Sequence, residues 1–493
     1  MATPATKDRA PESAARLGVE LNGINTISES ERKGTAKTLF WPWFAANVSV
    51  LGIPYGAYLL SFQVSFWQAI IVGTLGIVLS FALCGVIAIA GKRGSAPTMI
   101  LSRAAFGVDG NRIPSILSWV LTVGWETVLT SLAVLATATV FKDLGWSDGI
   151  VTKVIALIVV AALVIAGGVF GFATIMRLQR WITIITGVLT IVFFVLVLGH
   201  IDLSTVFAIK AGSPQNVIGG LVFMMTGFGL GWVNAAADYS RYLPRTTRTR
   251  GVVGWTTFGS AVAPFVLFVF GLLLAGSSEK LTTAINNDPI GALASILPVW
   301  FLIPFIIIAI LGLIGGAVLD IYSSGLALLT AGIRIPRFAA AGIDGVIMIL
   351  GSIYVVFVAS NFFFPFEGFL ITLGVPVAAW CGVFIADLLL RRKDYAEADL
   401  YSRTGRYGSV RILSIVLFVV ATVVGWGFVT NSYAPWLEWQ GYLFGPASTK
   451  AAANGFRDSW GGANLGVLFA LVIGFVGTLI GGRAAVRRQE AQK

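Results

Sequence analysis

Apolar stretches of about 20 residues, separated by short polar or glycine- and proline-bearing segments, recur along the chain from Leu39 onward. A helix of that length crosses a hydrocarbon core of about 30 Å. The pattern predicts about twelve spanning helices, at 39–60, 65–90, 114–140, 154–176, 181–199, 215–236, 252–275, 298–329, 341–360, 363–390, 410–431 and 463–482. The stretch at 298–329 is long enough to be tilted or broken, and 341–360 and 363–390 are separated by almost nothing. Residues 1–38 read as a polar, charged tail without the apolar core of a cleaved signal peptide.

Two of these spans carry helix breakers. The first contains Asn47, Ser49, Gly52, Pro54 and Gly56, and the sixth contains Gly227, Gly229 and Gly231 at alternate positions. Each interior glycine costs a helix roughly 0.5–1 kcal/mol relative to alanine. Close helix packing is one explanation, but alternate positions do not share a helical face, so local unwinding near mid-membrane is the preferred one. The broken spans lie five apart. Five is odd, so they enter from opposite sides, and spans 1–5 (39–200) relate to spans 6–10 (213–392) as an inverted repeat, with 409–483 adding two helices and 484–493 a short tail. Breakers at corresponding places in two halves point to a secondary-transporter site.

Composition agrees: 57% of the residues are hydrophobic and 12% charged, against about 25% charged in soluble domains, and mean hydropathy is +0.86. With the N-terminus inside, all of the 34 basic residues fall in inner segments except Lys142, Lys153, Lys210, Lys280, Lys450 and Arg457, as expected for a cell-membrane protein with both termini cytoplasmic. The net charge of +11 then reflects topology; a nucleic-acid partner would need a basic face with a recognition module. Cys84 and Cys381 sit inside spans and make neither a disulfide framework nor a metal site. His200 falls at an outer helix end. There is no P-loop, and the segment from Gly227 to Trp232 follows no soluble strand that would make it a dinucleotide fingerprint. An enzyme and an organic cofactor are therefore not expected, and neither is an obligate protein partner.

Only two acids lie near the middle of a span, Glu126 and Asp320; Asp238, Asp344 and Asp387 fall near inner helix ends and Glu367 near an outer one. Intramembrane carboxyls are costly and default to functional hypotheses. Trp125 and Phe228 each adjoin a polar or unwound position and are candidates to sandwich a flat ring, while Ser323 and Ser324 follow Asp320 and offer hydroxyls.

Four stretches then carry a family likeness: WPWFAANVSVL from Trp41, GSAPTMILSRAAFGVDGNRIPS from Gly94, FGLGWVNAAADYSRYLPR from Phe228, and FEGFLITLGVPVAAWCGVFIADLLLRRKDY from Phe366. On these the chain resembles the purine–cytosine permease branch of the nucleobase:cation symporter-1 family. The resemblance implies an all-α polytopic protein with a LeuT-type five-plus-five inverted repeat and two additional C-terminal helices. It also implies uptake of a small-molecule substrate driven by sodium or protons. It places the substrate ring between Trp125 and Phe228, with Gly229 offering backbone groups and Asn47 and Ser49 lining the first break. A sodium ion would lie near Ala46, Ser49 and the stretch from Gly315 through Gly316 to Asp320.

Two departures stand out. Asp320 occupies a position where the family shows an amide, and Glu126 directly follows the family tryptophan. Amides suit neutral bases, whereas carboxylates suit cationic or amine-bearing ligands, or a proton. The sequence therefore supports a symporter for a flat nitrogen heterocycle such as a nucleobase or a vitamin precursor. A carrier of cationic amines and an ion-independent facilitator or channel remain as alternatives.

Overall fold

The computed structural model describes residues 23–169, 172–333, 335–431, 435–444 and 458–492, and among them every regular element is a helix. Among the described residues nine helices are long and apolar enough to cross a membrane: Phe66–Gly94, Arg112–Asp143, Ile150–Gly168, Arg180–His200, Pro214–Tyr242, Thr249–Gly276, Val299–Ala331, Ala339–Phe357 and Phe363–Leu390. The first span is a pair, Ala36–Asn47 and Val50–Ser61, bent by 74°. Two apolar helices of 16 residues each, Ile412–Gly427 and Gly466–Gly481, complete the twelve expected.

Boundaries differ in three places. The eighth span is an unbroken helix of 33 residues, which at 1.5 Å per residue is about 50 Å long, so it must tilt to fit the bilayer. The ninth begins at Arg337 and ends at Phe357, leaving a short loop before Phe363. The fifth belongs to a helix that starts at Phe172, well before Trp181, and the fourth, expected to run to 176, ends at Val169. The basic residues Lys7, Arg9, Arg16, Arg334, Lys450, Arg457 and Lys493 lie outside the described residues.

The connections sort onto two faces as an even number of crossings requires. On one, Ile27 N donates to Ser95 O (2.8 Å), Lys33 N to Tyr242 O (2.9 Å) and Tyr401 Oη to Ile24 O (2.5 Å), while Arg391 reaches Gln489 Oε1 (2.7 Å). The N-terminal segment, three even-numbered connections and the C-terminal helix thus meet on the side that carries the basic residues. On the opposite face Gln68 Nε2 donates to Gly212 O (3.0 Å), and Asn216 Nδ2 to Asp458 Oδ1 (3.0 Å).

Helix packing carries the repeat. The second span packs on the seventh and the third on the eighth, pairing helices five apart. The first packs on the seventh as the sixth packs on the second, and the third on the ninth as the eighth on the fourth. Adding five to each helix number maps these contacts onto themselves. Spans 1, 2, 6 and 7 form one bundle and spans 3, 4, 8 and 9 another, with both broken spans in the first.

Candidate functional site

The first span stops at Asn47 because Val48 and Ser49 leave helical geometry, Ser49 being extended at φ −141°, ψ 142°. Its hydroxyl accepts from Leu51 N (3.3 Å) to start a short 3-10 turn, and Pro54 immediately precedes the second half, Tyr55–Ser61. The sixth span stops at Gly227 and breaks at Phe228 (φ −114°, ψ −107°), continuing as 3-10 turns at Gly229–Gly231, Val233–Ala235 and Ser240–Tyr242.

Backbone groups freed by such a break must find partners inside the membrane. Tyr55 Oη donates to Gly227 O (2.9 Å), joining the two broken spans; Gly229 N donates to Ser80 Oγ (3.0 Å), and Cys84 Sγ donates to Gly229 O (3.2 Å). Each glycine also makes room for one neighbour. A Cβ on Gly227 would lie 2.6 Å from the Tyr55 ring, on Gly229 2.2 Å from the Ser80 carbonyl carbon, and on Gly231 2.9 Å from Trp125 Nε1. Unwinding and close packing therefore occur together. Gly229, expected to offer its backbone to a ligand, already spends its N–H on the second span.

Phe228 lies against Tyr55 with ring centroids 4.3 Å apart, and Trp125 meets Phe366 (5.7 Å) and Phe369 (5.9 Å) edge-on. Phe366 also meets the Tyr55 ring (6.1 Å), so Trp125 and Phe228 are linked through Phe366 and Tyr55 in a run of ring contacts. The Trp125 N–H is buried without a hydrogen-bond partner. Asn234, in the unwound part of the sixth span, donates to Ser118 Oγ (2.8 Å) and leaves its own buried Oδ1 without one.

Asn47 Nδ2 donates to Trp43 O (2.9 Å), and Ala46 is half-buried beside it. The eighth-span residue that faces Ser49 is Gly312, whose Cβ would sit 3.3 Å from Ser49 Oγ; the open side of Gly316 meets Leu129 of the third span instead. Asp320 is 4% exposed, with Tyr239 of the sixth span within electrostatic reach. Glu126 is fully buried and neither of its oxygens has a hydrogen-bond partner. Trp125 and Glu126, adjacent in sequence, face different neighbours: Trp125 looks onto spans 6 and 10, while Glu126 looks onto Asp320 and Ser324 of the eighth span and Asp344 of the ninth.

Two of the other acids singled out from the sequence, Asp238 and Asp387, are hydrogen-bonded. Asp238 accepts from Thr98 N (2.8 Å) and Thr98 Oγ1 (2.7 Å), and Asp387 from Arg391 Nε (2.6 Å) and Arg411 Nη1 (2.7 Å). Glu367 lines a cavity of about 910 Å³ on the face away from the basic loops, together with Lys210, Glu279 and Asp458. Neither Trp125 nor Phe228 lines that cavity; Phe363, which does, is in ring contact with Tyr58 and Phe223, and these two meet Phe366. A second cavity of about 580 Å³ opens on the basic face beside Arg103, Asp109 and Arg403. Cys84 and Cys381 are free thiols and His200 is exposed at a helix end.

Sequence reasoning missed Ser80 and Cys84, which satisfy the sixth-span break. They are spaced i, i+4 on one helix face, the one signal that could have found them.

Residues 26–447 match the family described as permeases for cytosine/purines, uracil, thiamine and allantoin. The putative purine-cytosine permease YxlA of Bacillus subtilis is 26% identical over 439 residues, covering 85% of this chain and 90% of that protein. The purine-cytosine permease FCY2 of Saccharomyces cerevisiae is 27% identical over 295 residues, 56% of this chain and 50% of that one. Among solved structures, Mhp1, a nucleobase-cation-symport-1 family transporter in a closed conformation with bromovinylhydantoin bound, superposes with a TM-score of 0.69 at 17% identity, covering 95% and 96% of the two chains. At that identity the likeness speaks for the fold, which it shares.

Proposed function

The chain belongs to the family of permeases for cytosine/purines, uracil, thiamine and allantoin, and from that premise we propose that it is a cation-coupled symporter that holds a flat nitrogen heterocycle between Trp125 and Phe228. It is an integral membrane protein and a secondary transporter, not an enzyme. One observation above all supports this site: both broken spans meet there through the Tyr55–Gly227 hydrogen bond, beside the unpartnered Trp125 N–H.

Stacking a base on an aromatic face contributes roughly 1–3 kcal/mol and tolerates different bases, so Trp125 and Phe228 supply affinity. Specificity then comes from the polar groups around them: the Trp125 N–H, Asn47 and Asn234, with Asp320 favouring a ring that presents N–H donors. The bundle of spans 1, 2, 6 and 7 rocks against spans 3, 4, 8 and 9 around this midplane site. In the present conformation the aromatic side chains of Tyr58, Phe223, Phe363 and Phe366 form the closed gate. The basic face lies in the cytoplasm, with both termini there and the larger cavity outside. Sodium or a proton is the coupling ion; Ser49 and Ala46 at the first break, with Gly312 in place of Gly316 on the eighth span, form the candidate sodium neighbourhood. Glu126, whose buried oxygens have no hydrogen-bond partner, and the buried Asp320 support a second reading, a symporter for amine-bearing cationic molecules.

Uptake into proteoliposomes tests this. Labelled cytosine, adenine, uracil, allantoin and thiamine, plus a small cationic amine, are presented with an inward sodium or proton gradient. The proposal predicts accumulation of a heterocycle above its external concentration, abolished when an ionophore collapses the gradient. Equilibration without accumulation would mean a facilitator, and accumulation of the amine alone would favour the second reading.

A further inference from the structure

The acid beside the family tryptophan has an environment that the substrate site does not use. Glu126 is fully buried, with both carboxyl oxygens unpartnered. Across from it, Asp344 is also fully buried, but its oxygens are taken: Trp119 Nε1 donates to Oδ1 (2.6 Å) and Ser324 Oγ to Oδ2 (2.6 Å). Ser324 borders Glu126 as well. The charged groups facing Glu126 from the eighth and ninth spans are Asp320 and Asp344, and among the described residues no Lys or Arg joins them. Among the described residues no three His, Cys, Asp or Glu side chains converge to hold a metal ion.

From this geometry we propose that Glu126 and Asp344 share one proton through the Ser324 hydroxyl, and that it is the coupling proton of the symport cycle. The inference rests on the symporter reading and names its ion. The hydrogen-bond directions support it. Asp344 receives two donors, as a carboxylate does. Ser324 Oγ is within hydrogen-bond reach of Asp344 Oδ2 (2.6 Å) and of its own helix carbonyl Ile321 O (3.0 Å); with its single proton directed at either acceptor, lone pairs are what it has left to offer Glu126. A carboxylate at Glu126 would have neither donor nor cation, which is prohibitive in a buried site. A carboxylic acid there donates its O–H to Ser324 Oγ and completes the chain Glu126, Ser324, Asp344, Trp119.

The step balances simply. The O–H bond of Glu126 breaks, its electron pair stays on the carboxyl oxygen, and the proton passes to water admitted when the site opens inward; reloading from the outside reverses this. Until water enters, release would leave two like charges facing each other in low dielectric, so the proton departs only with the conformational change. Asp320, within electrostatic reach of both Glu126 and Tyr239, links this pair to the unwound sixth span.

The test is infrared spectroscopy of the lipid-reconstituted protein in sodium-free buffer at neutral pH, alongside uptake under separate gradients. A carboxylic-acid carbonyl band is expected in the wild type, lost in E126Q and displaced in D344N, together with accumulation driven by an inward proton gradient without sodium. Absence of the band from the wild type, a reading that needs no variant to fold, overturns the proposal, as does a band unchanged in E126Q. Accumulation that follows a sodium gradient and ignores the proton gradient also overturns it while leaving the symporter reading intact. No accumulation under either gradient overturns both.

Discussion

Replacing Gly229 by alanine tests whether the sixth-span break is held by the second span. The new Cβ would lie 2.2 Å from the carbonyl carbon of Ser80 and 2.4 Å from Phe81 N, both backbone atoms. Ordinary carbon contacts are about 3.5–4.0 Å, so the two segments must separate by more than an ångström. The Gly229 N–H to Ser80 Oγ bond, 3.0 Å long, would then pass the limit of a hydrogen bond. Overpacking costs about 1–3 kcal/mol, and the buried N–H left without an acceptor costs a further 1–3 kcal/mol or so. Ser80→Ala removes the acceptor, together with the bond of the same hydroxyl to its own helix carbonyl Gly76 O, but adds no atom, so it carries the second cost without the first. Gly187 is the control, because nothing lies within 4 Å of a Cβ placed on it. Thermal unfolding of the detergent-purified variants should therefore rank G229A below S80A, and S80A below G187A, with G187A near the wild type. If G229A melted with G187A, the close approach of the sixth span to the second would be wrong, and with it the account of why a glycine stands there.

Two further outcomes follow from the same structure. Asp387→Asn leaves Arg391, 6% exposed, without its buried carboxylate, and breaking a buried pair in this way costs about 3–5 kcal/mol; unfolding should shift well below the wild type, and a shift no larger than that of G187A would refute the pairing. In the connection between the second and third spans, the Ser409 hydroxyl, followed by Arg403 and Arg112, holds the Asp109 carboxyl below its ordinary range. A folded value below the unfolded one of about 3.9 means that this stabilisation is complete above that pH and is lost as pH falls through the lower folded value. Melting curves of wild type and D109N should accordingly converge on acidification below about pH 4; a constant gap across that range would contradict the assignment.

The spans were legible because crossing a bilayer demands about 20 apolar residues, and the inverted repeat because Pro54 and Gly227 to Gly231 break helices five spans apart. What satisfies the break was not. Ser80 also donates to Gly76 O (2.6 Å), as membrane serines commonly do, so beyond its i, i+4 spacing with Cys84 nothing local announces its bond to a residue 149 positions away. Gly312 was passed over for Gly316 because which face of the eighth helix meets Ser49 depends on a crossing geometry that no sequence period encodes. Asp344 read as a helix-end residue because the apolar run suggested a start near 341; the helix begins at Arg337, which carries Asp344 about two turns inward and against the third span.

The central claim, that a flat heterocycle sits between Trp125 and Phe228, is tested most directly by thermal stabilisation of the purified protein with a panel of nucleobases, allantoin and thiamine, repeated on Trp125→Ala and Phe228→Ala. At about 100 times its dissociation constant a ligand adds roughly 2.7 kcal/mol to the state that binds it, a shift large enough to see. The account predicts that at least one heterocycle stabilises the wild type and that both variants, folded, lose the response. A shift that survives both substitutions would place the ligand elsewhere and contradict the site.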